Sequence, residues 1–313
     1  MRRRDLRVIV ALLCGASVLC CGGAKDREAA RRPDVLLITL DTTRADHLGF
    51  YGYERPTSPN LDALASVSTV YDQAYSTSSW TLPAHASLFT GLFPTSHGVR
   101  HDPEGSLVLA SAVDAPEGIR ARPLPANQAT LASTLSEAGY ATGAAVAGPW
   151  LLRVFGFDRG FNDYDDREIE TNAGRLAASV TDSAIAWLSE ATDTEGRPPF
   201  FLFLNYFDPH APYLPPKGFR RAFLPDAQRI RTRHPPHARA LYDAEILYMD
   251  SEVGRLLRFL RERELFENTL IIITSDHGEL LGEHGEWGHE RFLYEELTRV
   301  PFVVKAAPTE PGR

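Results

Sequence analysis

Cysteine is scarce in this 313-residue chain: there are three, Cys14, Cys20 and Cys21, all near the N-terminus. The body therefore offers no disulfide, no thiolate metal site and no cysteine nucleophile. Long apolar runs are also missing, and the longest candidate, Val8 to Cys21, is too short for a convincing membrane-spanning helix. Positive charge is in deficit, and a formal net charge of -8 argues against general nucleic-acid binding. Internal repeats, heptads and low-complexity blocks are absent as well, which excludes solenoids and coiled coils. What remains is 43% hydrophobic and 24% charged, the balance of a soluble α/β protein with an extensive core.

Met1 to Arg7 is a basic segment ahead of the apolar stretch, so residues 1–21 are expected to be an export signal. Cleavage before a cysteine would leave a lipid-anchored protein in a bacterial cell envelope or periplasm. Ser17-Val18-Leu19-Cys20 and Val18-Leu19-Cys20-Cys21 are loose fits to a lipobox, and an ordinary cleaved signal or an uncleaved anchor are the alternatives. Residues 22–32 read as a tether.

Asp34-Val35-Leu36-Leu37-Ile38-Thr39-Leu40 predicts a strand buried on both faces of a mainly parallel sheet, and Asp41 stands directly after it. Ligands of open α/β sheets gather outside the carboxyl ends of strands, so Asp41 is a candidate ligand or base, with helix capping as the plain alternative. Two further apolar strands repeat the arrangement. Phe200 to Tyr206 leads into Asp208-Pro209-His210-Ala211-Pro212-Tyr213, and Leu270 to Ser275 leads into Asp276-His277-Gly278-Glu279. Helices are expected at Thr57 to Ala65, Thr130 to Ala138, Ala173 to Glu190 (apolar stripe Leu176, Val180, Ile185, Leu188) and His237 to Glu264. Tyr140 to Ala147 and Val300 to Val304 read as short strands. His97 to about Asn127 reads as an irregular excursion. Lys217 to His237, with Arg220, Arg221, Arg229, Arg231 and Arg233, is expected to be a basic solvated loop, or else one that attracts an anionic substrate.

Between the first two strand ends lies Trp80-Thr81-Leu82-Pro83-Ala84-His85. Thr81 is expected as the N-cap of a helix that stops near Gly91. A hydroxyl at that place faces unpaired N–H groups and the positive end of the dipole, which would stabilise an alkoxide or a tetrahedral anion. Taken alone, Thr81 is better explained as an ordinary cap, and the rest of the chain has to overturn that reading.

Asp and neutral His donors at adjoining strand ends suit Zn²⁺ or Mn²⁺, or Ca²⁺ and Mg²⁺ with more carboxylates, and a nearby hydroxyl suggests a metal-activated nucleophile. Several separated motifs occur in order: Leu40-Asp41-Thr42-Thr43-Arg44-Ala45-Asp46-His47-Leu48-Gly49, Ser58-Pro59-Asn60-Leu61-Asp62, Ala86-Ser87-Leu88-Phe89-Thr90-Gly91, Thr274-Ser275-Asp276-His277-Gly278-Glu279, then Tyr294-Glu295-Glu296 and Arg299-Val300-Pro301. In these the chain resembles the sulfatase family of the alkaline phosphatase superfamily, from Pro33 to Lys305. The resemblance implies an α/β fold over residues 33–313, a three-layer sandwich with a mainly parallel central sheet and helices on both faces. The family's C-terminal subdomain is expected to be missing. It also implies that Asp41, Thr81, Asp276 and His277 surround one divalent metal ion. Thr81 would attack sulfur or phosphorus, His210 and His289 would contact the transferred or leaving group, and His85 would line the nucleophile pocket.

The departures from the pattern sharpen the expectation. Sulfatases proper carry Cys or Ser in a Cys/Ser-x-Pro-x-Arg motif that matures to formylglycine, whereas this chain has Thr81-Leu82-Pro83-Ala84-His85, so no formylglycine is expected. Thr42 stands where an Asp-Asp pair has its second Asp, which favours Zn²⁺ or Mn²⁺ over Ca²⁺. Many relatives carry Lys where this chain has His289. An unmodified Thr resembles the phosphoryl-transferring relatives, so the expected activity is hydrolysis of sulfate or, preferentially, phosphate and phosphonate esters. The alternatives are transfer of a phospho-head-group to an envelope glycan or lipid, and a non-catalytic envelope lipoprotein that keeps the fold.

Overall fold

The computed structural model describes residues 32–102, 104–105, 107–109, 119–169, 174–224 and 235–308. All of them but Arg32 belong to one unit, Pro33–Thr309. The leader, the tether up to residue 31 and the three cysteines lie outside the described residues, as do Arg229, Arg231 and Arg233.

Strands β1 (Asp34–Leu40) and β2 (Thr69–Val70) precede a small antiparallel ladder of β3 (Arg100–His101), β4 (Leu107–Leu109) and β5 (Ile119–Arg122). Next come β6 (Ala141–Ala145), β7 (Asp163–Asp165), β8 (Phe200–Tyr206) and β9 (Thr269–Thr274). A hairpin, β10 (Leu280–Leu281) with β11 (Trp287–Gly288), and then β12 (Phe302–Lys305) complete the strands. The helices are α1 (Pro59–Ala65), α2 (Thr81–Thr90), α3 (Pro94–His97), α4 (Leu131–Glu137), α5 (Ala177–Ala191), α6 (Lys217–Phe223), α7 (Pro235–Glu262) and α8 (Glu295–Thr298).

Seven strands form the central sheet in the order β2-β12-β9-β1-β8-β6-β7. Those from β9 to β7 run parallel, while β12 lies antiparallel to both β9 and β2. Every residue of β1 and β8 is buried, because helices cover both faces. Leu36, Ile38 and Leu40 pack with Val180, Ala184 and Leu188 of α5 and with Leu241, Ile246, Val253 and Leu257 of α7. Val35 and Leu37 face the other way, toward Leu82, Ala86 and Phe89 of α2. At about 1.5–3 kcal/mol per buried Leu, Ile or Phe, these two layers dominate the folding free energy. The expected three-layer sandwich is the observed one.

Register positions the site. Thr39 pairs with Thr274 and Leu40 with Tyr206, so β9, β1 and β8 end side by side and their next residues share one edge.

Some local expectations fail. Trp80, not Thr81, occupies the N-cap of α2, and Thr81 is its first helical residue with no side-chain capping bond. Helix α5 begins at Ala177, and Leu176 ahead of it is 58% exposed. Gly174, at φ +62, marks why the helical spacing does not extend upstream. Part of the basic stretch is helix α6 and not loop, and the excursion after His97 contains the β3-β5-β4 ladder.

Asp250 of α7 caps α1 from outside: its carboxylate accepts the Asn60 N–H (3.0 Å), the Asn60 side-chain amide (2.7 Å) and the Leu61 N–H (2.8 Å). Burial nevertheless pushes its pKa up to about 6. The folded state thus holds a proton between about pH 4 and pH 6 that the unfolded chain, titrating at the ordinary value of 3.8, has released. This group's contribution to stability is present below the lower value and is lost as pH rises through the upper one. Urea unfolding across pH 4–7 should show wild type losing about 2–3 kcal/mol relative to Asp250→Asn, whose amide does not titrate. A pH-independent difference would contradict the assignment.

Candidate active site

The ends of β1 and β9 bring Asp41, Asp276 and His277 together, all buried, with one ligand atom from each lying within 4.8 Å of the others. His277 directs Nε2 at the Thr81 Oγ1 (3.1 Å), while its Nδ1 donates to the Gly278 carbonyl (2.9 Å) and so fixes the ring. Asp276 Oδ1 accepts the N–H groups of Thr42 (3.2 Å) and His277 (2.9 Å). Its other oxygen, and both oxygens of Asp41, are buried without a hydrogen-bond partner.

Buried, unpartnered carboxylate oxygens are costly unless a cation meets them. Burial, then repulsion from Asp276 and from Glu279, raises the Asp41 pKa well above the ordinary range, while His277 and His85 outweigh burial and hold Asp276 below it. Gly148 leaves room beside Asp41: a Cβ there would lie 3.3 Å from Asp41 Oδ2 and 3.2 Å from Asn205 Oδ1. Two carboxylates, one imidazole nitrogen and the Thr81 hydroxyl form a donor set that fits a divalent ion of the Zn²⁺ or Mn²⁺ type. Of the four expected ligand residues, the structure brings Asp41, Asp276 and His277 together and sets the Thr81 hydroxyl against His277.

The other expected residues divide. His210 follows β8, with Nδ1 donating to the Ala211 carbonyl (2.6 Å) and its ring stacked on Phe207. Burial and then the neighbouring His289 depress its pKa to about 4. His289 lies edge-on to His210 (ring centroids 5.1 Å apart) and 4.5 Å from the His277 ring. The three imidazoles therefore face one region beside Thr81. His85, one turn further along α2, has Nδ1 against the Thr81 carbonyl (2.9 Å) and Nε2 against Thr39 Oγ1 (3.0 Å). With both nitrogens engaged, it fixes α2 against β1 and has none left for a bound group.

Residues outside the expected set complete the frame. Thr42, at the left-handed φ of 53, orients Asp276 through its N–H and donates its hydroxyl to the Pro209 carbonyl (3.2 Å), tying the His210 loop to the metal ligands. Its carbonyl accepts from the Tyr242 hydroxyl (2.7 Å). Buried Arg44 grips Asp46 through Nε (2.9 Å) and Nη2 (2.7 Å), and its Nη1 donates to the Glu279 carbonyl (3.1 Å) and to Glu283 (3.0 Å). Glu279 is fully buried, and its Oε1 meets His289 Nδ1 at 3.1 Å. A second hydroxyl–imidazole pair, Ser87 with His97 Nε2 (3.1 Å), is not a nucleophile: His97 Nδ1 accepts the Val99 N–H, so Nε2 carries the proton and donates.

The family model for sulfatases matches residues 33–312. The chain belongs to the sulfatase family. Among curated relatives, the uncharacterized sulfatase YidJ of Escherichia coli (strain K12) is 24% identical over 90% of this chain and 64% of that protein. Iduronate 2-sulfatase of Mus musculus is 26% identical over 97% and 64%. The sulfatase chain thus spans about two-thirds of the length of these relatives. Of solved structures, the phosphonate monoester hydrolase of Agrobacterium radiobacter superposes with a TM-score of 0.68 at 21% identity, covering 88% of this chain and 68% of its own. The zinc complex of the C-terminal periplasmic domain of EcEptC from Escherichia coli gives 0.66 at 17% identity, covering 90% and 75%. At these identities the superpositions establish a shared fold.

Proposed function

We propose that this sulfatase-family chain is an exported, metal-dependent ester hydrolase that works through a covalent Thr81 intermediate and handles phosphate or phosphonate esters better than sulfate esters. The observation that carries the reading is the buried Thr81 hydroxyl 3.1 Å from His277 Nε2, beside three buried carboxylate oxygens of Asp41 and Asp276 that have no hydrogen-bond partner among the described residues. Asp41, Asp276, His277 and Thr81 would hold the ion, which supplies Lewis-acid charge for the transferred group and lowers the pKa of a coordinated hydroxyl. The rest falls to the chain's own side chains. Thr81 gives up its hydroxyl proton to solvent as Oγ1 bonds to phosphorus or sulfur, and the bond to the leaving oxygen breaks. His289 protonates the leaving oxygen, and His210 donates to, or accepts from, the transferred group through Nε2. Water then attacks the Thr81 ester, restores the hydroxyl and releases the acid.

The preference for phosphorus follows from the nucleophile. A formylglycine hydrate sheds its sulfate by hemiacetal elimination. An ester of Thr81 must instead be broken by attack at the central atom. The substrate class is an anionic ester of an envelope glycan or lipid, reached from a protein carried outward by residues 1–21 and held through a lipidated cysteine. Among the described residues no helix is long and apolar enough to cross a membrane.

Matched aryl phosphonate monoesters, phosphodiesters and sulfates, assayed with Zn²⁺ and with Mn²⁺, test the preference. The phosphorus esters should be cleaved at least about tenfold faster in kcat/KM, a difference of about 1.4 kcal/mol in transition-state binding. Faster cleavage of the sulfate would sink it. The superposition on a periplasmic EcEptC domain supports a second reading, transfer of a phospho-head-group to an envelope acceptor. Product formation that requires an added acceptor alcohol favours transfer, while product formation in water alone favours hydrolysis.

A further inference from the structure

The β10–β11 hairpin sets Leu280 opposite Gly288 and Leu281 opposite Trp287. One step further along the same antiparallel register, Glu279 and His289 face each other across the open end of the hairpin. Their side chains meet there, Oε1 to Nδ1 at 3.1 Å, with the carboxylate fully buried and the imidazole side chain 11% exposed. The hairpin is anchored on both sides. Arg44 Nη1 holds the Glu279 carbonyl, and the Glu290 N–H donates to the carbonyl of Ser79, two residues before Thr81. The backbone just before Glu279 is closely packed too: a Cβ at Gly278 would fall 1.9 Å from the Glu296 carbonyl oxygen and 3.2 Å from Arg44 Cγ.

We propose that Glu279 is a positioning residue for His289: by occupying Nδ1 it fixes the tautomer and ring orientation that present Nε2 to the leaving oxygen beside Thr81. A lysine at position 289 would need no such partner, because an ammonium has three equivalent donors on a flexible stem. An imidazole has one useful nitrogen and must be aimed. The inference rests on the hydrolase reading above for its kinetic consequence, but the contact itself is independent of activity.

Two measurements separate the contact from the reaction. In protein labelled with ¹⁵N-histidine, the His289 Nδ1 proton, assigned by its disappearance in His289→Asn, should be protected and shifted downfield. Glu279→Ala should abolish that signal, and Glu279→Gln, whose amide oxygen still accepts from Nδ1, should retain it. An unchanged signal in Glu279→Ala overturns the proposal. The kinetic readout is leaving-group dependence on the metal-loaded enzyme. Glu279→Ala should slow cleavage of an alkyl ester by about a hundredfold and of a nitrophenyl ester by no more than about fivefold, since only the poor leaving group needs a proton. Glu279→Gln should recover most of the alkyl rate, and Glu279→Ala combined with His289→Asn should be no worse than His289→Asn alone. Equal losses on both esters, or additive losses in the double variant, overturn the proposal. If wild type cleaves neither ester, the hydrolase reading fails, while the histidine signal still decides whether Glu279 holds His289.

Discussion

Thr81→Ala is expected to lose on the order of 10⁴-fold in kcat while keeping its fold and the Asp41, Asp276 and His277 ligands, because it removes the proposed nucleophile and only one donor of the proposed metal site. The structural cost is small for stated reasons. Thr81 is the first residue of α2 and caps nothing, so the helix does not depend on its side chain. Alanine is at least as good a helix former. The one hydrogen bond lost, to His277 Nε2, is worth about 1 kcal/mol at most in net stability. Thr81→Ser keeps the hydroxyl and should retain most of the rate. Turnover by each variant under saturating substrate, with thermal unfolding and metal content measured on the same samples, checks the pattern. A Thr81→Ala enzyme within tenfold of wild type would place the nucleophile elsewhere.

The second large effect runs in opposite directions in the presence and absence of metal. Without an ion, Asp41 and Asp276 are two buried acids with three unpartnered oxygens between them, and Glu279 adds further repulsion. Replacing Asp41 by Asn removes one of the charges at nearly constant volume, so metal-free Asp41→Asn should be more stable than metal-free wild type by about 1–3 kcal/mol. Adding Zn²⁺ or Mn²⁺ should reverse the order. Wild type gains about 2.7 kcal/mol at a hundred times the dissociation constant, and the variant, one anionic ligand short, gains little. Thermal melts of both proteins with chelator and with each ion reveal the crossing. A variant less stable than wild type under chelator, or equally stabilised by metal, contradicts a cation site at Asp41.

The parts of this site that the sequence reveals are those set by burial. Strands covered on both faces read as unbroken apolar runs, so the ends of β1, β8 and β9 are visible as the points where Leu40, Tyr206 and Thr274 give way to Asp41, Phe207-Asp208 and Ser275-Asp276. Parallel pairing then makes those ends adjacent. His85 shows the limit of the approach. Its place four residues after Thr81 puts it on the same helix face, where Nδ1 donates to the Thr81 carbonyl, but the Nε2 partner is Thr39 on another element, and only the fold shows that both nitrogens are engaged.

The Glu279–His289 contact left no pattern to find. Its register comes from a hairpin with two residues in each strand, too short for alternation to appear, and Arg44, more than two hundred residues away, fixes one side of it. Helix α6 escaped notice for a similar reason: seven residues, none buried, carry no periodicity. The displaced start of α5 was legible. Gly174 in a left-handed conformation is the kind of residue that ends a helical pattern, and Leu176 lies between it and the first helical residue.

Rapid quenching of the metal-loaded enzyme during turnover of a slow phosphonate monoester, followed by mass spectrometry of its peptides, tests the covalent route most directly. A substrate-derived phosphonyl group is expected on Thr81, formed and lost at rates compatible with turnover and absent from Thr81→Ala. Steady turnover with Thr81 unmodified at every quench time would contradict it.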